Sequence, residues 1–146
     1  YLSVLDGTSV LCLDRSSAPG ATQIRAGRRI RFPVLTTSFG RAIIAFESAE
    51  EVDEQMRFHV ESTGASADAV AVLGDDLRAI RDTGHAVGPS RRSGVLFLAI
   101  PLRNSGRPIA SIAVAGSQES IDVRVVEMMQ QSGGAIWNDL FPSRRR

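Results

Sequence analysis

Few side chains of the kinds that perform catalysis occur in this 146-residue chain, and they are far apart in its sequence. His59 and His85 lack a cysteine, histidine or aspartate at a metal-ligand spacing such as H-E-x-x-H or C-x-x-C. Cys12 lies between two leucines, where a thiol behaves as a small buried hydrophobic group rather than as a nucleophile. We therefore predict no catalytic residue and no metal site.

The sequence also lacks the residues that lysine-dependent enzymes and serine hydrolases need. All 17 basic residues are arginine, which excludes Schiff-base catalysis and a phosphate-binding lysine. Ser117 and Ser120 follow Gly116, but no G-x-S-x-G motif and no recognisable order of histidine and carboxylate accompany them. The sequence thus predicts neither an enzyme nor a cofactor.

The paired acids are the remaining candidates for acid–base chemistry. Asp75-Asp76 and Glu50-Glu51 would exchange protons only if a pocket separated their pKa values. Both pairs are instead expected at helix starts, where carboxylates interact favourably with the helix dipole. The arginine cluster at residues 28–31 is expected to be a solvated strand edge.

Length, composition and charge are those of a single soluble globular domain. The chain is 43% hydrophobic and 23% charged, and no apolar run approaches the roughly 20 residues that cross a bilayer. Its net charge of +1 gives no general attraction to nucleic acid or to an anionic membrane. One cysteine suits a reducing cytoplasm. Because the first residue is Tyr1 rather than methionine, we expect the chain to be cut from a longer protein.

The elements that position these residues begin with strands. Residues 1–5 and 9–13 flank Asp6-Gly7-Thr8, a turn sequence that predicts a hairpin. Residues 21–25 and 30–35 are predicted to extend as further strands, and residues 85–87 as another. The last antiparallel pair is predicted from residues 94–103 and 108–117 around a turn at residues 104–107.

Three helices are predicted between these strands. A short, buried helix begins at Thr37 or Ser38. A second starts at the capping box of residues 48–51 and runs to about Glu61, and a third spans about residues 75–83 and stops at Gly84.

A final amphipathic helix is predicted from about Ser120. Its inward stripe is predicted to be Ile121, Val125, Met128, Ser132, Ile136 and Leu140. Gly133-Gly134 in its middle costs about 1 kcal/mol per glycine, which indicates either close backbone packing or a break.

The last strand pair is the most informative stretch of the chain. Ser111, Ala113 and Ala115 alternate as small residues on one face, which leaves space for a helix or a ligand. Both faces of the preceding strand are apolar, so both sides of the sheet must be covered. The sequence predicts an α+β domain in which an antiparallel sheet lies between helical layers.

Three segments, at residues 1–15, 32–45 and 98–116, share one family's pattern. The most specific reads Phe-Pro-Val-Leu-Thr-Thr-Ser-Phe-Gly-Arg-Ala-Ile-Ile-Ala from residue 32, with its proline, Thr-Ser and Gly-Arg at characteristic intervals. Together, the segments resemble the effector-binding domain of IclR-type transcriptional regulators, and residues 77–87 resemble that family's helix and exit strand. The resemblance implies a GAF-like fold: a six-stranded antiparallel sheet, helices on both faces and a small-molecule pocket.

The resemblance also implies how the chain is organised and what it meets. Residues 1–142 are expected to be the effector-binding domain and residues 143–146 a disordered basic tail, with the N-terminal winged helix-turn-helix domain absent from this chain. The expected partners are a small-molecule effector and other copies of the chain, in a cytoplasmic dimer or tetramer. Operator DNA is expected to be bound only through the missing domain, and no membrane is involved.

The family's pocket is carried over onto nine positions of this sequence. They are Ile24, Phe32, Ser38, Phe39, Gly40, Gly88, Phe97, Ala113 and Ala115. Family members that bind small keto acids place aspartate at Gly88, cysteine at Phe97 and serines at Ala113 and Ala115. Since these polar groups are missing here and a desolvated carboxylate needs charge-assisted partners, we predict against pyruvate-like or glyoxylate-like ligands.

An apolar or aromatic effector with one polar end fits this pocket better. Phe39 and Phe97 would contact a ring, and backbone amides near Phe39 and Gly40 would bind the polar end. In the alternative interpretation the two phenylalanines fill the cavity, and the domain is a pure dimerisation module. A small redox enzyme on the same fold is a further alternative, although a reactive Cys12 would need a resolving thiol.

Overall fold

A six-stranded antiparallel sheet forms the centre of the molecule in a computed structural model that describes residues 1–17, 19, 29–90, 94–103 and 106–142. The strands run in the order β3-β2-β1-β6-β5-β4 across the sheet. Their bounds are β1 Leu2–Asp6, β2 Ser9–Asp14, β3 Arg31–Pro33, β4 Ala86–Pro89, β5 Leu96–Leu102 and β6 Ala110–Gly116. The predicted α+β class and antiparallel sheet are confirmed.

Helices cover both faces of this sheet. They are α1 Ser38–Ile44, α2 Ala49–Thr63, α3 Ala67–Thr83 and α4 Val123–Leu140. Along β5, Ala99 packs in the core cluster that contains α1, whereas Leu98 and Ile100 pack with Met129 of α4. Because alternate residues of a strand point to opposite faces, α1 and α4 lie on opposite sides of the sheet. The predicted three layers are confirmed.

The first three strands follow the predicted order, with one change. The β1–β2 hairpin turns at Gly7, which has a φ of +61°. The strand predicted at residues 30–35 is wrong in its second half, since β3 ends at Pro33 and residues Val34–Thr36 form a 3₁₀ turn. The Val34 amide donates to the Thr8 carbonyl at 3.2 Å, and this hydrogen bond joins the 3₁₀ turn to the β1–β2 hairpin. The strand predicted at residues 21–25 lies outside the described residues.

The α2 helix begins at its predicted cap. The Ser48 hydroxyl accepts from the Glu51 amide at 3.2 Å, as in a capping box. The Glu51 carboxylate, however, accepts from the Gln55 side chain at 2.9 Å. Gln55 is the buried residue of this helix and also donates to the Gly7 carbonyl, so a polar contact joins α2 to the first hairpin.

The α3 helix starts eight residues earlier than predicted. Ser66 caps it by accepting from the Ala69 amide at 3.2 Å. Its first turns are only partly buried: Val72 is 68% exposed, whereas Leu73 packs against the core cluster that contains Leu77 and Ile80. The apolar face of the helix thus extends towards the N-terminus beyond the predicted start. The expectation that Asp75-Asp76 starts a helix is therefore wrong, since both residues lie in the middle of α3. Gly84 ends the helix with a φ of +77°, as predicted.

From Met128 onward, the inward face of α4 is shifted by one position from the predicted stripe, and the predicted Ser132, Ile136 and Leu140 are exposed. Met129 and Gly133 are buried, whereas Met128 is 55% exposed. A Cβ at Gly133 would lie 2.6 Å from Cδ1 of Ile100, so the helix comes closest to the sheet where it has no side chain. The helix is continuous through Gly133 and Gly134, and close packing rather than a break explains the first glycine.

The two adjacent glycines of α4 form a matched pair for testing this packing. A Cβ at Gly134 would meet no atom within 4 Å. We expect Gly134→Ala to stabilise the fold by about 1 kcal/mol, or about 3 °C in Tm, through helix propensity alone. Gly133→Ala is expected to lower stability by about 1 kcal/mol, because overpacking against Ile100 outweighs that gain. Thermal and urea unfolding of both variants measures the difference, and an equal gain in both would contradict the close contact.

Candidate functional site

Four aromatic rings meet between α1 and the sheet. Phe39 and Phe97 lie edge to face with their ring centroids 4.8 Å apart. The Tyr1 ring is 5.3 Å from Phe97 and 6.0 Å from Phe39, and the Phe32 ring is 6.4 Å from Phe39. We call these four residues the ring cluster. Such pairings contribute roughly 0.5–1.5 kcal/mol each beyond the area they bury.

Strand register brings the predicted pocket residues to this cluster. Phe97 on β5 lies opposite Gly88 on β4 and opposite Ala115 on β6, so these residues share one face of the sheet. Ala113 follows on the same face, and its amide donates to the Tyr1 carbonyl at 2.9 Å. The sequence indicated Phe32, Phe39 and Phe97 but not Tyr1, whose place depends on this cross-strand pairing.

The ring cluster is buried on one side and accessible on the other. Phe39 is 6% exposed, whereas Tyr1, Phe32 and Phe97 are half-buried. Ala115, beside Phe97, is exposed and forms a rim. Ile24, the remaining predicted wall, lies outside the described residues. The rings thus form a partly exposed apolar surface next to Ala115.

The start of α1 is determined by a side-chain cap and a close backbone contact. The Gly40 amide donates to the Thr37 hydroxyl at 3.2 Å, so this predicted donor to an effector already has a partner within the chain. Ser38 is buried and precedes Phe39. A Cβ at Gly40 would lie only 1.9 Å from the Val34 carbonyl oxygen, which explains the glycine.

Arg41 is the charged residue that sequence analysis did not assign to the pocket. Its side chain is 17% exposed, and its Nη1 lies 2.9 Å from Oδ2 of Asp76 on α3. This contact is an ion pair without hydrogen-bond alignment. Its Nη2 donates to the Val87 carbonyl at 3.2 Å. In the sequence, Arg41 could have been found from its place directly after Gly40. Gly40 is the residue of α1 whose backbone closely approaches the Val34 carbonyl.

Two buried serines lie on the same face of the sheet as the rings. Ser3 on β1 and Ser111 on β6 are opposite each other, and each is 1% exposed. Neither hydroxyl has a hydrogen-bond partner within the described ranges. Cys12 lies opposite Ser3 and is 2% exposed, which agrees with its predicted behaviour as a small hydrophobic residue.

Other sites are weaker candidates. Clefts of about 470 and 460 Å³ lie between α2 and α3 near Val60 and between β5 and α4 near Gln130, and neither is lined by a predicted pocket residue. Over the part of the chain that the structure describes, no three side chains of histidine, cysteine, aspartate or glutamate group as metal ligands. None of the described helices is both long and apolar enough to span a bilayer.

Comparison with known families gives one clear match. Residues 1–135 match the family model for the bacterial transcriptional regulator IclR C-terminal domain. No curated protein is significantly similar to the chain in sequence.

Solved structures share this fold. An IclR homologue from Microbacterium hydrocarbonoxydans, complexed with 4-hydroxybenzoate, is 25% identical and superposes with a TM-score of 0.80, covering 97% of this chain and 60% of that chain. The IclR of Thermotoga maritima is 20% identical, with a TM-score of 0.78 over 95% of this chain and 60% of its own. The chain therefore spans about three fifths of the length of these two proteins.

An inducer-binding domain has nearly the same extent as this chain. It is a double mutant of the PobR transcription factor from Acinetobacter, complexed with 3-hydroxybenzoic acid. It is 19% identical and has a TM-score of 0.72, covering 94% of this chain and 86% of that chain. At this identity the likeness concerns the fold.

The contact between Gly40 and the Val34 carbonyl is directly testable. We expect Gly40→Ala to destabilise the fold by about 3 kcal/mol, because a Cβ there must displace backbone rather than a flexible side chain. Gly74→Ala in α3 is the control, since the nearest atom to its Cβ would be Nη1 of Arg78 at 3.9 Å. Urea unfolding followed by circular dichroism compares the two. A Gly40→Ala variant as stable as the control would mean that α1 lies farther from the 3₁₀ turn.

Proposed function

The chain belongs to the IclR family of bacterial transcriptional regulators as a C-terminal domain, and we propose that it senses a small apolar or aromatic effector. The observation that carries this proposal is the ring cluster beside α1, in which three of the four rings are partly exposed. In the whole regulator, this domain would pass the effector signal to a segment that binds operator DNA. A cytoplasmic location accords with that role.

The chemistry of the ring cluster favours an aromatic guest. Phe39 and Phe97 already pack edge to face, and a third ring would find the same favourable geometry against the partly exposed Phe97. Ala113 and Gly88 add no bulk on this face of the sheet. The Microbacterium homologue, 25% identical, was solved with 4-hydroxybenzoate, which supports an aromatic effector for this chain as well.

Effector binding at this place requires the rings to move, because they contact each other. Phe97 is the ring best placed to yield, since it is half-buried and lies next to the exposed Ala115. Phe39 is anchored in α1, so a guest between the two rings would shift α1 relative to the sheet. We propose that this shift favours one arrangement of subunits in a dimer or tetramer, with a coupling free energy of about 1–3 kcal/mol, typical of allosteric proteins.

The direct contact between Phe39 and Phe97 also supports the alternative of a dimerisation module whose rings are ordinary core. In that case no aromatic compound would stabilise the domain, and its unfolding would depend on protein concentration alone. A redox enzyme gains no support, because the Cys12 thiol is 2% exposed.

A thermal-shift and calorimetric screen tests the sensing function. The panel contains aromatic acids and neutral aromatic compounds, and a binder at 100 times its Kd should add about 2.7 kcal/mol of stability. We expect Ala115→Trp, which would cover the rings from the rim, to weaken binding at least about tenfold.

The control variant is Val87→Trp. Val87 is 39% exposed, and it points away from the ring cluster because it alternates with the buried Gly88. This variant should bind as the original chain does. Undiminished binding in Ala115→Trp would place the ligand elsewhere, and no binding by any compound would favour the dimerisation module.

A further inference from the structure

We propose that Arg41 binds the acidic group of the effector, so that the preferred ligand is an aromatic monocarboxylic acid. This inference rests on the proposed sensing function and specifies the chemistry of its ligand. It modifies the expectation from sequence that the pocket lacks charged groups. The effector would then place its ring against Phe97 and its carboxylate against the guanidinium.

The position of the guanidinium is the first observation that supports this role. Its Nη2 lies 2.5 Å from the point where a Cβ at Gly88 would stand, and that point is also 3.6 Å from Cβ of Ser38. Gly88 is paired with Phe97 across β4 and β5. Arg41 therefore lies against Gly88, on the face of the sheet that carries Phe97.

The second observation is that one of the two N–H groups on one edge of the guanidinium has no hydrogen-bond acceptor in the described structure. Nε and Nη2 present parallel N–H groups along one edge, the geometry that binds both oxygens of a carboxylate. Nη2 donates to the Val87 carbonyl at 3.2 Å, but Nε has no hydrogen-bond partner among the described residues and is screened from solvent. A buried donor without a partner costs free energy, and a ligand acceptor would remove that cost.

Asp76 makes the arrangement stable without occupying that edge. Its Oδ2 lies 2.9 Å from Nη1, which is not part of the Nε–Nη2 edge. It neutralises the charge of Arg41, yet it forms no aligned hydrogen bond with it. The Nε N–H therefore has no competing acceptor in the described part of the chain, and a carboxylate would reach it when the rings move and open this buried edge. Gly88 leaves room for the guanidinium because it has no side chain.

Matched pairs of acid and amide measure the contribution of the carboxylate. We would titrate benzoate, 4-hydroxybenzoate and 4-methylbenzoate, each beside its carboxamide, at neutral pH by calorimetry. The acid of a binding pair should bind at least about tenfold more tightly than its amide, the fold-change expected for a charge-assisted hydrogen bond. Equal affinities of acid and amide would overturn the proposal while leaving the sensing function intact. Failure of all six compounds would count against the sensing function itself.

Substitution at Arg41 assigns the preference to this residue. Arg41→Lys retains a charge that Asp76 can pair with, but it lacks the forked edge. We expect it to lose the preference for the acid and to bind the amides as before. An unchanged ratio of acid to amide affinity in a folded Arg41→Lys variant would contradict the assignment.

A substitution at Gly88 tests the same edge without removing Arg41. A Cβ there would lie 2.5 Å from Nη2, so Gly88→Ala is expected to displace the guanidinium and to lose the preference for acids over amides. Retention of the full preference in a folded Gly88→Ala variant would contradict the role of the guanidinium.

Discussion

The close packing of α1 against the sheet is the contact on which the site and the layers around it depend. Ala42, Ile43 and Ile44 are fully buried in one cluster with the small residues Ala99 and Ala113 of the sheet. A helix of seven residues is not stable alone, because helices shorter than about 12 residues are marginal in water. Its stability comes from burial, at roughly 1.5–3 kcal/mol for each large apolar side chain.

Polar contacts then hold α1 in one position. At its C-terminal end, Nε of Arg81 donates to the Ala45 carbonyl at 2.6 Å, which satisfies a group that the helix leaves unpaired. The Glu47 side chain, 2% exposed, pairs with Arg107 beyond β5 at 2.6 Å. A buried carboxylate without such a partner would be strongly destabilising. Since α1 is anchored to α3 and to the last hairpin, any ligand that displaces Phe39 acts on both of these elements.

Local sequence was sufficient for most of the caps and turns, although the equally local Ser66 cap of α3 was not predicted. The caps at Thr37 and Ser48, the glycine stop at Gly84 and the turn at Gly7 were all predicted, because each depends on residues within one turn of the chain. The alternation along β5 predicted the two covered faces. The predictions that failed include the start of α3 and the end of β3. They also include a contact between distant elements: α4 is rotated from its most apolar stripe because Gly133 allows the closest approach to Ile100.

The sequence by itself determined the family, the order of strands and helices and the grouping of Phe32, Phe39 and Phe97. Only the tertiary structure decided that Tyr1 completes the ring cluster, that the rings touch, and that Asp76 meets Arg41 rather than a helix dipole. The physical reason is how far apart in the sequence the interacting residues lie. Caps, turns and periodicity depend on neighbours along the chain, whereas ring contacts and ion pairs join residues that strand register and helix packing bring together from distant parts of the sequence.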